Sequence, residues 1–162
     1  MRGQLHHMAT VAADDTPEPN ILVTRSMREN EHGFVLDAWM KGYSYSHFAI
    51  ALGARYWDEE ERIAKWCMTR GRVLVATTED SPDAALGWIC GLRSPATLDY
   101  VYVKQDARKL GVASGLVLAL AGVPWRQWRP RMTHKSWKRQ LRALAEGAGW
   151  VFAPVSAEEM GQ

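Results

Sequence analysis

LDYVYVKQDARKLGVASGLVLALA, residues 98–121, reads as a strand, a polar loop and a helix placed end to end. Residues 98–103 are rich in aromatic and β-branched side chains and contain no breaker, which favours an extended strand. Residues 104–109 are polar and make the turn. From Leu110 onward the chain is small or aliphatic, with Gly111, Ala113, Ser114 and Gly115 ahead of Leu116, Val117 and Leu118. That order suits a helix whose first turn lies close to something and whose body is buried. The first N–H groups of a helix have no intrahelical acceptor, and the helix dipole adds positive potential at the same end. A first turn built of Gly and Ala lets a ligand reach those groups, so the stretch is suited to phosphate or pyrophosphate.

Working outward, residues 21–25 (ILVTR) form a short strand candidate, and residues 27–40 carry Phe34, Val35, Ala38 and Trp39 at helical spacing. A second helix is expected over residues 57–69, opened by the acidic run 58–61 and stopped near Arg70 and Gly71. Strands are expected at 72–77 (RVLVAT) and 85–92 (ALGWICGL), joined through the turn residues of 79–83 (EDSPD). After the 110–121 helix come a strand at 131–135, a helix at 136–146 and a last strand at 150–153. The order is β-α-α-β-β-β-α-β-α-β.

The spacing of Arg108, Gly111 and Ala113 (RKLGVA) resembles the R/Q-x-x-G-x-G/A motif of the GNAT family, the Gcn5-related N-acetyltransferases. The element order is also that of this family over residues 21–155. ALGWI resembles the family's third strand, and Gly149 and Trp150 stand where the family often has a Gly-Phe pair. The resemblance implies an α/β GNAT fold, a mixed central sheet of about six strands flanked by helices, in a single domain spanning residues 20–162. It implies transfer of an acetyl group from acetyl-CoA to a primary amine by direct attack, with no metal. Carried over residue by residue, Arg108, Lys109, Gly111, Val112, Ala113 and Ser114 surround the pyrophosphate. The backbone of Val101, Tyr102 and Val103 lies along the pantetheine and thioester and supplies an N–H for the oxyanion. Arg108 and Lys109 also read as solvated loop charges.

Such a reaction needs a base for an amine whose ordinary pKa is about 10.4, an oxyanion donor, and stabilisation of the departing thiolate. Asp99 has the parity of Val101 and Val103 and is expected on their face, which makes it a candidate base. An alternative role for it is pairing with a neighbouring basic residue. His134 has the right intrinsic pKa at the end of a strand and reads also as a surface histidine in a basic segment, and Asp37 is a third candidate that reads also as a solvated charge. The tyrosine that many members carry about four residues before the Gly-Phe pair is absent, since that position is Ala145. Tyr102, Tyr43, Tyr45 or Ser136 are substitutes for the acid, or the thiolate leaves unassisted. This departure also leaves open a catalytically inert coenzyme-A-binding domain.

Two regions are candidates to shape the acceptor site. Residues 41–48 (KGYSYSHF) mix aromatics with hydroxyls. Residues 125–142 (WRQWRPRMTHKSWKRQLR) hold seven Lys or Arg and three Trp with no acidic residue. That interleaving suits nucleic-acid contact or an amine on a nucleobase, and equally a core of tryptophans under a solvated face.

Composition bounds the rest. A chain of 162 residues is long enough for one core and too short for two, and 47% hydrophobic with 23% charged residues are globular values. The net charge of +2 excludes bulk polyanion binding. Cys67 and Cys90 make no metal spacing and no disulfide framework, which points to a reducing, cytoplasmic setting. The uncharged run 110–125 holds an arginine-free apolar helix too short to span a membrane, and residues 1–15 have no apolar core of a signal peptide. Residues 1–19 are expected to form a mobile arm, with His6 and His7 solvated rather than metal-binding. Eight tryptophans in one small domain allow a dimer interface, and homodimers are frequent in the family.

Overall fold

The computed structural model describes residues 21–43, 50–51, 53–134 and 145–161. The expected arm over 1–19, most of the 41–48 connection and nearly all of the 136–146 helix lie outside the described residues. The chain runs β1 (Leu22–Ser26), α1 (His32–Tyr43), α2 (Ala54–Arg70), β2 (Arg72–Thr78), β3 (Gly87–Leu92), β4 (Thr97–Val103), α3 (Val112–Ala121), β5 (Arg131–Met132) and β6 (Val151–Phe152), with single 3-10 turns at Glu29–Glu31 and Gln105–Ala107. The strands form one six-stranded sheet in sequence order. The first four are an antiparallel meander, and β5 joins β4, and β6 joins β5, in parallel. The expected mixed sheet flanked by helices is therefore present. Its last two strands are only two residues each, shorter than the hydrophobic runs suggest.

Side-chain alternation divides the core in two. On one face Val73, Val75, Trp88 and Cys90 meet Val35 and Trp39 of α1 and Ala64, Cys67 and Met68 of α2. On the other, Leu74, Ala76, Ile89 and Leu98 meet Val112, Leu116, Val117 and Leu120 of α3. The α1 periodicity buries Val35 and Trp39 completely, whereas Phe34 stays 38% exposed. Helix α3 lies close on the sheet because Gly91 has no side chain: a Cβ there would strike the Thr97 carbonyl oxygen and stand 3.1 Å from Leu120. No helix among the described residues is long and apolar enough to cross a membrane.

Two ion pairs tie down the margins. Arg25 of β1 bonds Glu31 at 2.6 and 2.7 Å, and the Arg28 backbone N–H also donates to Glu31 at 2.8 Å. Arg131 of β5 bonds Glu159 and donates to the carbonyls of Ala153 and Pro154, fastening the C-terminal segment to the sheet edge. The guanidinium partners, and the backbone donors of Arg28 and Ser156, hold Glu31 and Glu159 at about 2, below the usual 4.5. A depressed carboxylate contributes its full stability above its unfolded pKa and loses it as pH falls through the folded one. The melting temperature should thus fall between about pH 4.5 and 2, by an amount equivalent to roughly 1–2 kcal/mol per site after solvent screening. Glu31→Gln should flatten part of that acid limb; an unchanged acid limb in this variant would contradict the assignment.

Candidate active site

The site begins at an irregularity in β4. Cys90 pairs with Tyr100 while its neighbour Gly91 pairs with Leu98, so Asp99 is an extra residue with no partner on β3. A bulge of this kind breaks strict alternation and bends the strand. Leu98 stays with α3 and Tyr100 stacks toward α1, while the Asp99 side chain joins Tyr100 and Cys90 on the α1/α2 face. The parity reading of Asp99 is corrected here: it does not share the face of Val101 and Val103.

Asp99 is buried and fully engaged. The Arg70 guanidinium at the end of α2 donates to Oδ1 at 2.8 Å and Oδ2 at 3.0 Å, and the Thr133 hydroxyl donates to Oδ1 at 3.0 Å. Arg70 itself lies over the Trp66 ring at 4.4 Å. Of the two roles foreseen for Asp99, the geometry is that of pairing with a basic residue. Cys67 and Cys90 are buried beside it as free thiols, and burial raises both above the ordinary thiol value, with the nearby Asp99 charge adding to the shift.

His134 follows directly after Thr133. Its Nδ1 stands 2.8 Å from the Asp99 carbonyl oxygen and 2.9 Å from Thr133 Oγ1. The ring meets Trp39 edge-on at 5.4 Å and Tyr100 at 6.2 Å. Burial pushes the imidazole below its usual pKa, with the Asp99 backbone bond and the Asp99 charge acting the other way. His134 is therefore predominantly neutral at neutral pH, the form in which an imidazole accepts a proton.

Among the described residues the pairing of β4 with β5 goes no further than Leu98 and Met132, and the edge of β4 beyond is open. Their pairing covers Thr97 with Arg131 and Leu98 with Met132, and one further bond joins the Thr133 N–H to the Leu98 carbonyl. The Lys104 N–H donates to Leu86, so the backbone groups of Tyr100, Tyr102 and Lys104 turn toward β3. Alternation turns those of Val101 and Val103 into the opening. Val101 is 37% exposed there. Tyr102 stacks on Trp88 at 6.2 Å on the opposite face, within electrostatic reach of Lys41. Trp39, Trp88 and Tyr100 continue the stack at 5.1–5.6 Å.

The opening leads to the start of α3. Lys109 and Gly111 both have left-handed backbones, at φ 69° and 78°, and Gly111 is the N-cap with no side-chain bond closing it. The first helical bond runs from the Gly115 N–H to the Gly111 carbonyl at 2.9 Å, so the N–H groups of Val112, Ala113 and Ser114 precede any intrahelical acceptor. A Cβ on Gly111 would meet nothing within 4 Å, so the space beside the cap residue is open. Arg108 and Lys109 are exposed beside it, and Arg108 reaches back to the Val103 carbonyl at 3.4 Å. The candidate pyrophosphate residues thus share one corner, and Val101 and Val103 lead from it to His134.

Other candidates stand elsewhere. Asp37 pairs with Lys41 on the exposed side of α1. Ala145 is buried, while Tyr45, Ser136 and the side chain of Tyr43 lie outside the described residues. Of the basic tryptophan-rich segment, Trp128 is core and packs edge-on against Trp150 at 5.9 Å, Arg126 covers Trp125, and Arg131 is the Glu159 clasp. Residues 135–142 lie outside the described residues. No cluster of three or more metal-ligating side chains occurs among the described residues. Sequence reasoning missed Arg70, Tyr100 and Thr133, which meet only through the bulge and the strand pairing.

No protein-family model and no curated protein matches the chain. Among solved structures, it is similar to the apo form of YjaB from Escherichia coli, with a TM-score of 0.52 and 20% identity over 79% of this chain and 81% of that one. It is also similar to a GCN5-related N-acetyltransferase described as a class-II aminotransferase from Rhodopseudomonas palustris, with a TM-score of 0.51 and 19% identity over 75% of this chain and 78% of that one. With the mixed six-stranded sheet, the bulged fourth strand and the open helix start after it, the chain has the fold of the Gcn5-related N-acetyltransferases.

Proposed function

We propose that this protein is an N-acetyltransferase that uses acetyl-CoA to acetylate a primary amine. The observation that carries the reading is the α3 N-terminus with no side-chain cap and with open space at Gly111, following a β4 whose outer edge has no strand partner past Leu98 among the described residues. These residues fit coenzyme A. Three backbone N–H groups, the helix dipole and two flanking cations suit a pyrophosphate, and the outward amides of Val101 and Val103 suit the amide groups of a pantetheine arm. When bound, acetyl-CoA supplies the acyl group already activated as a thioester.

The remaining steps belong to the chain. His134, neutral and beside the opening, takes the proton from the acceptor ammonium, leaving the electron pair on nitrogen for attack on the acyl carbon. The Val101 N–H stabilises charge on the acyl oxygen. Tyr102 is the hydroxyl assigned to protonate the departing sulfur. Asp99 anchors the strand end from which His134 projects and is not itself the base.

The reading is tested by release of free thiol from acetyl-CoA in the presence of primary amines, beginning with small polyamines and nucleobase amines. Amine-dependent release well above hydrolysis is expected for at least one class. Tight acetyl-CoA binding with no release on any amine would overturn catalysis in favour of a coenzyme-A-binding regulatory domain.

A further inference from the structure

Most arginines of the described core are matched by a carboxylate: Arg25 by Glu31, Arg28 by Asp83, Arg62 by Glu59, Arg70 by Asp99 and Arg131 by Glu159. Arg72, Arg93, Arg126 and Arg129 are exposed and have no carboxylate partner among the described residues. The fold brings these four to one end of the molecule. Arg72 opens β2 opposite Gly91, with the parity of Leu74 and so on the α3 face. Arg93 follows β3 in the turn to β4, and a Cβ on Gly122, the residue that ends α3, would stand 2.9 Å from its Nη2. Arg126 comes four residues after Gly122, within about 14 Å along the chain. Arg129 Nη1 donates to the Arg126 carbonyl at 2.5 Å and the Trp128 carbonyl at 3.0 Å, which fixes its guanidinium beside Arg126.

We propose that this end binds the phosphate backbone of a nucleic acid through Arg72, Arg93, Arg126 and Arg129. A planar guanidinium fork matches phosphodiester oxygens, and charges left without a partner in the protein are the ones a phosphate can take. The chain has no acidic residue from 84 to 98 or from 107 to 145, so these segments are cationic although the net charge is only +2. The surface among the arginines decides the class of partner. Its exposed residues are Ser94, Pro95, Gly122, Pro124 and Gln127, and no large apolar side chain is exposed at 93–96 or 122–130. A membrane-bound surface inserts an apolar face and a protein interface has an apolar centre, whereas a nucleic-acid interface is polar and positively charged. Trp125 is partly buried beneath Arg126 and Trp128 belongs to the core, so charge rather than base stacking makes the contact. The ten residues of α3, about 15 Å, separate this end from Gly111, so the nucleic acid is held with the acetyl-CoA corner left free.

Fluorescence anisotropy of the full chain with a labelled mixed-sequence single-stranded RNA, and with a duplex DNA, tests the proposal. Three or four phosphate contacts predict that RNA affinity falls about twenty- to fiftyfold between 50 and 200 mM salt. Saturating acetyl-CoA should leave the affinity unchanged; displacement of the RNA would overturn the placement by moving it to the Arg108 and Lys109 corner. Arg93→Glu combined with Arg126→Glu should weaken RNA binding at least about tenfold and flatten the salt dependence. Neither side chain makes a hydrogen bond or ion pair among the described residues, so the fold and the acetyl-CoA affinity of the double variant should be those of the wild type. Wild-type RNA affinity in the double variant would overturn the proposal. So would binding to neither oligonucleotide at 50 mM salt, including the case in which the protein binds anionic phospholipid vesicles instead. Both readouts are independent of turnover, so they stand apart from the fate of the acetyltransferase reading.

Discussion

Gly111→Asp should weaken acetyl-CoA binding at least about a hundredfold while leaving the protein folded. Two effects act, and their sizes decide which dominates. Gly111 has φ of 78°, where a side-chain-bearing residue costs on the order of 1 kcal/mol, somewhat less for Asp. That strain lowers stability and leaves the fold intact, since a Cβ there meets nothing within 4 Å. The carboxylate puts a negative charge beside the first turn of α3, where it repels a pyrophosphate. A factor of a hundred corresponds to about 2.7 kcal/mol, within reach of one like charge placed against two phosphates at partial exposure. Gly111→Ala has the strain without the charge and should lose affinity only a few-fold. If the two variants bind alike, backbone conformation rather than anion recognition is what the glycine serves.

His134→Gln should lower kcat by about a hundred- to a thousandfold and leave acetyl-CoA affinity unchanged, the range expected when a positioned base is removed. Glutamine keeps much of the ring's volume and a polar atom near Thr133, so the aromatic contacts with Trp39 and Tyr100 suffer least. In the wild type the rate should rise with pH through a His134 pKa below the ordinary histidine value, because burial favours the neutral ring. The sign is that of a base, inactive while protonated at low pH and active once neutral. A single-turnover rate of acetyl transfer equal to wild type would remove His134 from the chemistry.

Much of the architecture is legible in the sequence because it rests on local signals. The β4–loop–α3 unit is written in a switch from β-branched and aromatic residues to small and aliphatic ones, and Gly111 marks its joint. Helix α1 follows from the spacing of Val35 and Trp39, and the end of α2 from Arg70 and Gly71, whereas its start at Ala54 lies ahead of the acidic run expected to open it. The neighbourhood of Asp99 is less legible, for a physical reason. A β-bulge has no distinctive residue signature at Asp99, yet one extra residue turns that side chain to the opposite face and into the reach of Arg70, 29 positions away in the chain. Thr133 and His134 come to Asp99 through parallel pairing, which a two-residue strand scarcely announces. The basic segment misleads in a similar way, since composition cannot tell a tryptophan that stacks on a ligand from one, like Trp128, that packs on Trp150.

If the corner formed by Arg108, Lys109 and the α3 N-terminus, beside Val101 and Val103, is a coenzyme A site, the protein must bind acetyl-CoA in the absence of any acceptor. Calorimetric titration of acetyl-CoA into the wild-type protein tests it most directly. One site per chain with micromolar affinity is expected, weakened by rising salt as phosphate contacts are. No heat of binding at millimolar acetyl-CoA, from protein shown to be folded, would contradict it.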